Sequence, residues 1–112
     1  RALLRRAPRA HAPILTAQGV ALDPATRTAT RNGRVIVLTA KEFAVLEYLM
    51  SNAGHLVSAS ELSDHAWDSN YDGYSNVVQT YIRYLRQKLT VAGETDVIET
   101  RRGAGYVIAA DP

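Results

Sequence analysis

Short apolar runs separated by turn-forming residues fill positions 14–38 of the chain. The tetrapeptide Asp23–Thr26 favours a turn with proline in an early position. The run Thr26–Arg31 is followed by Asn32-Gly33, the strongest short signal for a hairpin, and then by the β-prone run Arg34–Leu38. The pattern predicts a small antiparallel sheet of three or four strands.

Two capping boxes predict the starts of two helices. In the first, the hydroxyl of Thr39 can accept from the backbone N–H of Glu42, whose carboxylate reaches back. This helix is expected to end near Asn52–Gly54. The second box, Ser58 with Glu61, opens a shorter helix, and the polar segment 68–75 after it predicts a loop. The apolar residues expected to face the core from these two helices are Phe43, Leu46, Leu49, Met50, Leu62, Ala66 and Trp67.

A third helix is predicted over about residues 76–89. On a helical projection its core stripe consists of four apolar residues within about 60° of one another, namely Val78, Ile82, Leu85 and Leu89. The opposite side and its flanks are polar and offer donors, acceptors or a methyl group to base edges in the major groove of DNA. Taken alone, the same pattern also fits an amphipathic surface helix without a ligand.

A hairpin is predicted near the end of the sequence. Two β-prone runs, Val97–Thr100 and Tyr106–Ala109, are joined by the basic, glycine-rich segment Arg101–Gly105. Glycine lets the backbone turn tightly, and an arginine at such a tip can enter a narrow minor groove, where the negative potential is enhanced. An ordinary solvated turn is the alternative interpretation.

Charged residues are segregated along the chain, whose net charge is +2. Residues 39–75 carry one lysine against six acidic residues, whereas residues 76–93 carry Arg83, Arg86 and Lys88 and no acidic residue. A local basic cluster indicates a nucleic-acid binder more reliably than net charge does. By itself, the cluster also fits a solvated helix face.

Length and composition limit the classes of function. The 112 residues are enough for one domain, and no apolar run approaches the roughly 18 residues of a membrane span. The N-terminal segment lacks the apolar stretch of a secretory signal, so we expect a cytoplasmic protein without membrane contact. There is no cysteine, and His11, His55 and His65 are scattered. We therefore expect no metal, no cofactor and no enzymatic activity.

The order of these parts is similar to the effector domain of OmpR/PhoB-type response regulators. The resemblance runs from about Leu15 to Ile108 and rests on four segments in the family's order and spacing. They are Leu38–Phe43 with Leu46 and Leu49; Gly54–Ser58 with Glu61, Leu62 and Trp67; Asn76–Val78 with Ile82 and Leu85–Leu89; and Ile98–Tyr106. The resemblance implies an α+β fold, a winged helix-turn-helix with an N-terminal antiparallel sheet, three helices and a C-terminal hairpin as the wing.

The resemblance also implies a function and partners. Members of the family are bacterial transcription regulators of two-component phosphorelay systems, in which a receiver domain, phosphorylated through a sensor kinase, controls dimerisation and DNA binding. Residues 1–12 are expected to be a linker or the end of an absent receiver domain, and residues 13–112 the DNA-binding domain. We expect tandem binding to direct repeats in double-stranded DNA, with RNA polymerase as a further partner.

Positions in the family pattern assign roles to individual residues. The residues expected to read bases are Asn76, Gln79, Thr80, Arg83 and Tyr84. Four residues on the flanks of the third helix are expected either to contact phosphate or to pack, namely Val77, Tyr81, Arg86 and Lys88. The other candidates for phosphate contact or for the wing are Gln87, Arg101 and Arg102. The loop residues expected to touch polymerase are Asp68, Asn70, Tyr71, Asp72 and Tyr74. The chain departs from the pattern at Tyr84, where several members carry arginine, and at Val107, where the family often has a basic residue.

Two other functions stay open on the sequence. The first is a winged-helix protein-interaction module that does not bind DNA, against which the acid-free face of the third helix argues. The second is a strand-cleaving enzyme that acts through Tyr81 or Tyr84. Such an enzyme needs several Arg or His groups around the tyrosine, and the sequence supplies no such set.

Overall fold

In the computed structural model of this chain, residues 14–67 and 75–111 are described, with the side chains of the third helix from residue 77 onward. Six strands and three helices occupy this part: β1 (Leu15–Ala17), β2 (Val20–Asp23), β3 (Thr28–Arg31), β4 (Arg34–Ile36), α1 (Ala40–Ser51), α2 (Ala59–Ala66), α3 (Ser75–Leu89), β5 (Ile98–Arg101) and β6 (Gly105–Ile108). None of these helices has the length and apolar character required to cross a membrane. The order confirms the predicted sheet, three helices and C-terminal hairpin.

Some predictions fall outside the described residues. They are the linker 1–12, the side chain of Asn76, and the polymerase-contact loop with Asp68, Asn70, Tyr71, Asp72 and Tyr74.

The first four strands form one antiparallel sheet in the order β1-β2-β3-β4. The Asn32-Gly33 turn between β3 and β4 has φ values of 51° and 84°, the pair of positive angles that a type I′ hairpin turn requires. Between β2 and β3, the N–H of Ala25 donates to Asp23 Oδ1 at 3.0 Å, which stabilises the turn predicted there. One face of this sheet supplies Val20, Leu22, Ala29 and Ile36 to the core.

Both predicted capping boxes are formed. The N–H of Glu42 donates to Thr39 Oγ1 at 3.2 Å and the N–H of Thr39 donates to Glu42 Oε1 at 2.9 Å. Ser58 and Glu61 make the same reciprocal pair at the start of α2, at 3.0 Å in each direction. Helix α2 ends at Ala66, so Trp67, which was expected within the inward face of that helix, lies one residue beyond it and packs half-buried against the core.

Helix α3 begins one residue before its predicted start and ends at Leu89, as predicted. Its core stripe is buried throughout: Val78, Ile82, Leu85 and Leu89 are each at most 1% exposed. Removing the side chain of one such buried leucine or isoleucine typically costs about 2–5 kcal/mol. Because this stripe holds the helix against the core, the opposite face of α3 is turned outward.

The C-terminal hairpin pairs β5 with β6 from Ile98↔Ile108 to Arg101↔Gly105, so a three-residue turn joins the strands. Each strand begins and ends within one residue of its predicted bounds. The connection between α1 and α2 adds to this sheet, because Val57 and Tyr106 exchange two backbone hydrogen bonds of 2.8 Å. A Cβ on Gly105 would lie 2.1 Å from the carbonyl oxygen of Val57, closer than any real contact. Glycine at this position therefore permits the hairpin to dock on the helical part of the domain.

Candidate nucleic-acid interface

The outward face of α3, which we call the reading face, brings several of the predicted base-reading residues together. Gln79, Arg83, Tyr84 and Gln87 are exposed, and Thr80 is half-buried beside them. Their side chains supply amide, guanidinium and hydroxyl groups, which are the donors and acceptors that match base edges. Since the sequence carries no acidic residue from position 76 to 93, no carboxylate on this helix would repel phosphate.

Three aromatic rings run from the end of α2 onto this face of α3. The ring of Trp67 meets that of Tyr81 edge-on at a centroid distance of 5.2 Å, and Tyr81 meets Tyr84 edge-on at 5.6 Å. We call Trp67, Tyr81 and Tyr84 the aromatic row. A cation lies at each end of it, with Lys41 Nζ 5.5 Å from the Trp67 ring and the Arg83 guanidinium carbon 5.8 Å from the Tyr84 ring. Tyr81, expected to contact phosphate or to pack, is thus half-buried between two rings.

Arg86 connects α3 to the hairpin. Its Nε and one terminal nitrogen donate to the carbonyl oxygen of Ile98 at 3.2 and 2.8 Å, and the same terminal nitrogen donates to Thr100 Oγ1 at 2.7 Å. Both acceptors are uncharged, so Arg86 keeps its positive charge while most of its hydrogen-bonding capacity is used within the domain. Its predicted phosphate contact stays a prediction, and its observed contacts fix the hairpin relative to α3.

Lys88 is held on the other side of α3. Its Nζ forms an ion pair with Oε1 of Glu42, whose side chain is only 4% exposed. The carboxylate that caps α1 is thereby neutralised by the third helix. Of the three cations in the basic cluster seen in the sequence, Arg83 is therefore the exposed one on the reading face of α3.

The tip of the hairpin carries two exposed arginines. Arg101 pairs with Glu99 at 3.1 Å, an ion pair in which both side chains are about half exposed. Arg102 occupies the turn itself and makes no ion pair with any residue that the structure describes. Gly103 follows it with φ +77° and open space around its α-carbon. The tip therefore projects one cation with no acidic partner in the described chain, Arg102, and one partly neutralised cation, Arg101.

An open groove of about 330 Å³ lies between α3 and the hairpin tip. Gln79 lines its helix side, Ala59 marks the first turn of α2, and residues 100–106 form its hairpin side. Burial raises the pKa of the Tyr106 hydroxyl in this wall, with the nearby Arg86 charge acting in the opposite direction. The hydroxyl of Tyr106 is therefore uncharged at ordinary pH. The groove is open at the surface, and the two arginines that line it give it a positive charge that suits an anionic polymer.

A cluster of charges at the far end of α3 was not predicted from the sequence. Arg31, 4% exposed, donates to the carbonyl oxygens of Leu89 at 3.0 Å and of Thr95 at 2.8 Å. Arg34 also donates to the Leu89 carbonyl, at 3.0 Å, and pairs with Glu94 at 3.0 Å. Cations favour the C-terminal end of a helix because its last carbonyls are unpaired and its dipole is negative there. The N-terminal sheet thus fixes the position of α3.

Glu94 completes this cluster. Hydrogen bonds from Arg34, from the N–H of Val91 and from Asn32, with the charge of Arg31, lower the pKa of Glu94 to about 2, against a smaller opposing effect of burial. The sequence holds one signal for the site, two arginines on either side of the Asn32-Gly33 turn. It gives no indication of which helix end they reach, because the contacts span more than fifty positions.

The sequence of this chain has relatives among known proteins. Residues 33–108 match the family described as "Transcriptional regulatory protein, C terminal". The transcriptional regulatory protein CutR of Streptomyces coelicolor is 46% identical over 108 residues, which are 96% of this chain and 48% of that protein. The chain spans about half the length of the curated relatives that it matches.

Solved structures give the same result. The response regulator DrrB of Thermotoga maritima, an OmpR/PhoB homologue, superposes with a TM-score of 0.77 at 26% identity, over 91% of this chain and 46% of that one. The DNA-binding domain of Klebsiella pneumoniae RstA, solved in complex with the RstA box, superposes with a TM-score of 0.75 at 28% identity, over 88% and 98% of the two chains. The winged-helix fold expected from the sequence is confirmed.

Proposed function

The chain belongs to the family of C-terminal domains of transcriptional regulatory proteins of the OmpR/PhoB type, and on that premise we propose that it binds double-stranded DNA in a sequence-specific manner. Helix α3 lies in the major groove, and the hairpin is the wing, with its tip at the adjacent minor groove. Asn76, Gln79, Thr80 and Arg83 are the candidates for reading bases, and Tyr84, which the family pattern also placed among them, lies beside Arg83 on the same face.

One observation carries the proposal: Gln79, from the outward face of the acid-free helix α3, and the two wing arginines line the same open groove. The sugar–phosphate backbone that separates the major groove from the adjacent minor groove of the DNA would lie in this groove of the protein. Arg101 and Arg102 would then neutralise phosphates or enter the minor groove, where narrow A·T-rich segments attract arginine. Gln79 stands at the boundary between the phosphate path and the bases.

The remaining partners rest on the relatives. In a longer protein of twice this length, a receiver domain phosphorylated by a sensor kinase would control how two such domains bind direct repeats in tandem. Contact between the segment 68–75, for which the sequence predicts a loop, and RNA polymerase is part of the same proposal. Each of these partners requires the full-length protein for a test.

Two arginine substitutions test the proposal in the chain itself. Arg83→Ala is expected to weaken binding to a preferred duplex by about 1–3 kcal/mol if Arg83 reads a base. Arg102→Ala is expected to weaken binding most at duplexes with narrow A·T-rich minor grooves. The matched control is Arg27→Ala, which also removes one positive charge but from the turn before β3, where Arg27 lies over the Phe43 ring. If the control and the two variants lose affinity equally, the binding reflects net charge and not this surface.

A protein-interaction module with the same fold would behave differently. Binding through phosphate contacts releases counterions, so the affinity for duplex DNA must fall steeply as salt increases. A folded chain that shifts no duplex at low salt would support the interaction module and contradict DNA binding.

A further inference from the structure

We infer that Tyr84 is a positioning residue, an inference that rests on the proposed function. Its ring is held in place by the other two members of the aromatic row and in turn holds the Arg83 guanidinium on the reading face of α3. Tyr84 thus acts on DNA through Arg83. Tyr84, at a position where several family members carry arginine, is therefore assigned the role of orienting Arg83 and not of contacting a base itself.

The path of the Arg83 side chain is the first support. Adjacent residues on a helix point about 100° apart and do not face each other. The guanidinium carbon of Arg83 nevertheless lies 5.8 Å from the centroid of the Tyr84 ring, within the range of a cation–π contact. The guanidinium of Arg83 therefore lies beside the ring of Tyr84.

The second support is that the Tyr84 ring is itself fixed. It packs edge-on against Tyr81, one helical turn earlier, and Tyr81 packs edge-on against Trp67 beyond α2. Tyr84 is 38% exposed, so its ring is only partly covered by this packing. Through the aromatic row, the position of Arg83 therefore depends on how α2 and α3 pack against each other.

The third support is electrostatic. An acidic partner would hold Arg83 equally well but would neutralise it and would have to be displaced by DNA. The sequence places no acidic residue on α3, and a neutral ring holds the cation with its charge intact. Since a free arginine loses much rotamer freedom on docking, prior ordering by the ring strengthens base contact without adding a contact of its own.

A double-mutant cycle tests this role. The proteins are the wild-type chain, Arg83→Ala, Tyr84→Leu and the double variant, with Tyr84→Phe as the variant that keeps the ring. The probes are the duplex most enriched by the wild-type chain from a random library and a scrambled duplex of the same composition. Thermal unfolding of each variant verifies that the fold is retained.

Tyr84→Leu is expected to weaken binding to the enriched duplex about two- to fivefold, the range of an exposed cation–π contact. The loss should disappear in the Arg83→Ala background, Tyr84→Phe should bind like the wild type, and affinity for the scrambled duplex should be unchanged. Additive losses, or a loss in Tyr84→Phe equal to that in Tyr84→Leu, would show that Tyr84 contacts DNA itself and would overturn the inference alone. A wild-type chain that enriches no duplex would overturn the proposed function together with it.

Discussion

Lys88 in α3 forms an ion pair with Glu42 in α1, 46 positions earlier in the chain. The same carboxylate oxygen accepts the N–H of Thr39, so one buried oxygen both caps α1 and ties α1 to α3. The two helices that determine the orientation of the reading face are thus joined by a charge pair beneath that face.

Removing the lysine leaves this carboxylate without its cation. We expect Lys88→Met to lower the free energy of unfolding by about 1–3 kcal/mol. The loss stays below the 3–5 kcal/mol of a fully enclosed pair, because Lys88 is 37% exposed. Urea titration at pH 7 measures the effect, and Lys88→Arg, which keeps the charge, is the control. Equal stability of Lys88→Met and the wild type would show that Glu42 does not depend on this partner.

Glu94 predicts a specific dependence on acidity. Its pKa is lowered from 4.5 to about 2 in the folded chain, so its contribution to stability is complete above pH of about 4.5 and is lost as the pH falls toward 2. The wild type should be more stable than Glu94→Gln at pH 7, and the difference should shrink through that window. Urea midpoints at a series of pH values give the comparison. A difference that stays constant down to pH 2 would contradict the assigned pKa.

Two glycines at the wing tip should respond differently to alanine. Gly103 has φ +77° and open space around it, so Gly103→Ala is expected to cost about 1–2 kcal/mol for the left-handed backbone alone. At Gly105 a Cβ would also strike the backbone of Val57 and Ser58, at 2.1 and 2.9 Å, so Gly105→Ala should cost clearly more and weaken DNA binding by displacing the wing. Chemical denaturation and duplex titration measure both effects. Equal costs would show that the Val57 contact gives way without loss.

Glu99 is expected to lower the affinity of the wing for DNA. Because its carboxylate pairs with Arg101 at 3.1 Å in an exposed ion pair, Glu99→Gln is expected to change stability by less than about 1 kcal/mol. The substitution should raise the affinity for duplex DNA. It should also make the slope of log affinity against log salt concentration steeper, by up to about the amount that one additional phosphate contact contributes. Affinities at four or more salt concentrations test this, with Glu47→Gln in α1 as a control for the loss of one negative charge. An identical slope in Glu99→Gln and the control would exclude Arg101 from phosphate contact.

The parts of the fold that were predicted depend on residues close together in the chain. The Thr39–Glu42 and Ser58–Glu61 boxes and the Asn32-Gly33 turn each lie within four positions, so local chemistry determines them. The core stripe of α3 follows from helical periodicity in the same way. These features establish the order of elements and which face of α3 is exposed.

The parts that were not predicted depend on residues brought together only by packing. Lys88 was expected to contact phosphate or to pack on the flank of the third helix, and Glu42 pairs with it from another helix. Arg31 and Arg34 reach the end of α3 from 58 and 55 positions away. Charge counted along a sequence does not give charge over a surface, which explains why the site was predicted by residue type more completely than by electrostatics.

The surface built from α3 and the wing is proposed to read a DNA sequence. The most direct test is a titration of the wild-type chain with the duplex it enriches from a random library and with a scrambled duplex, each at several salt concentrations. We expect more than about tenfold tighter binding to the enriched duplex, since each mismatched base pair costs about 1–3 kcal/mol, and a steep fall of both affinities with salt. Equal affinity for the two duplexes, or no binding at low salt by a folded chain, would contradict the account.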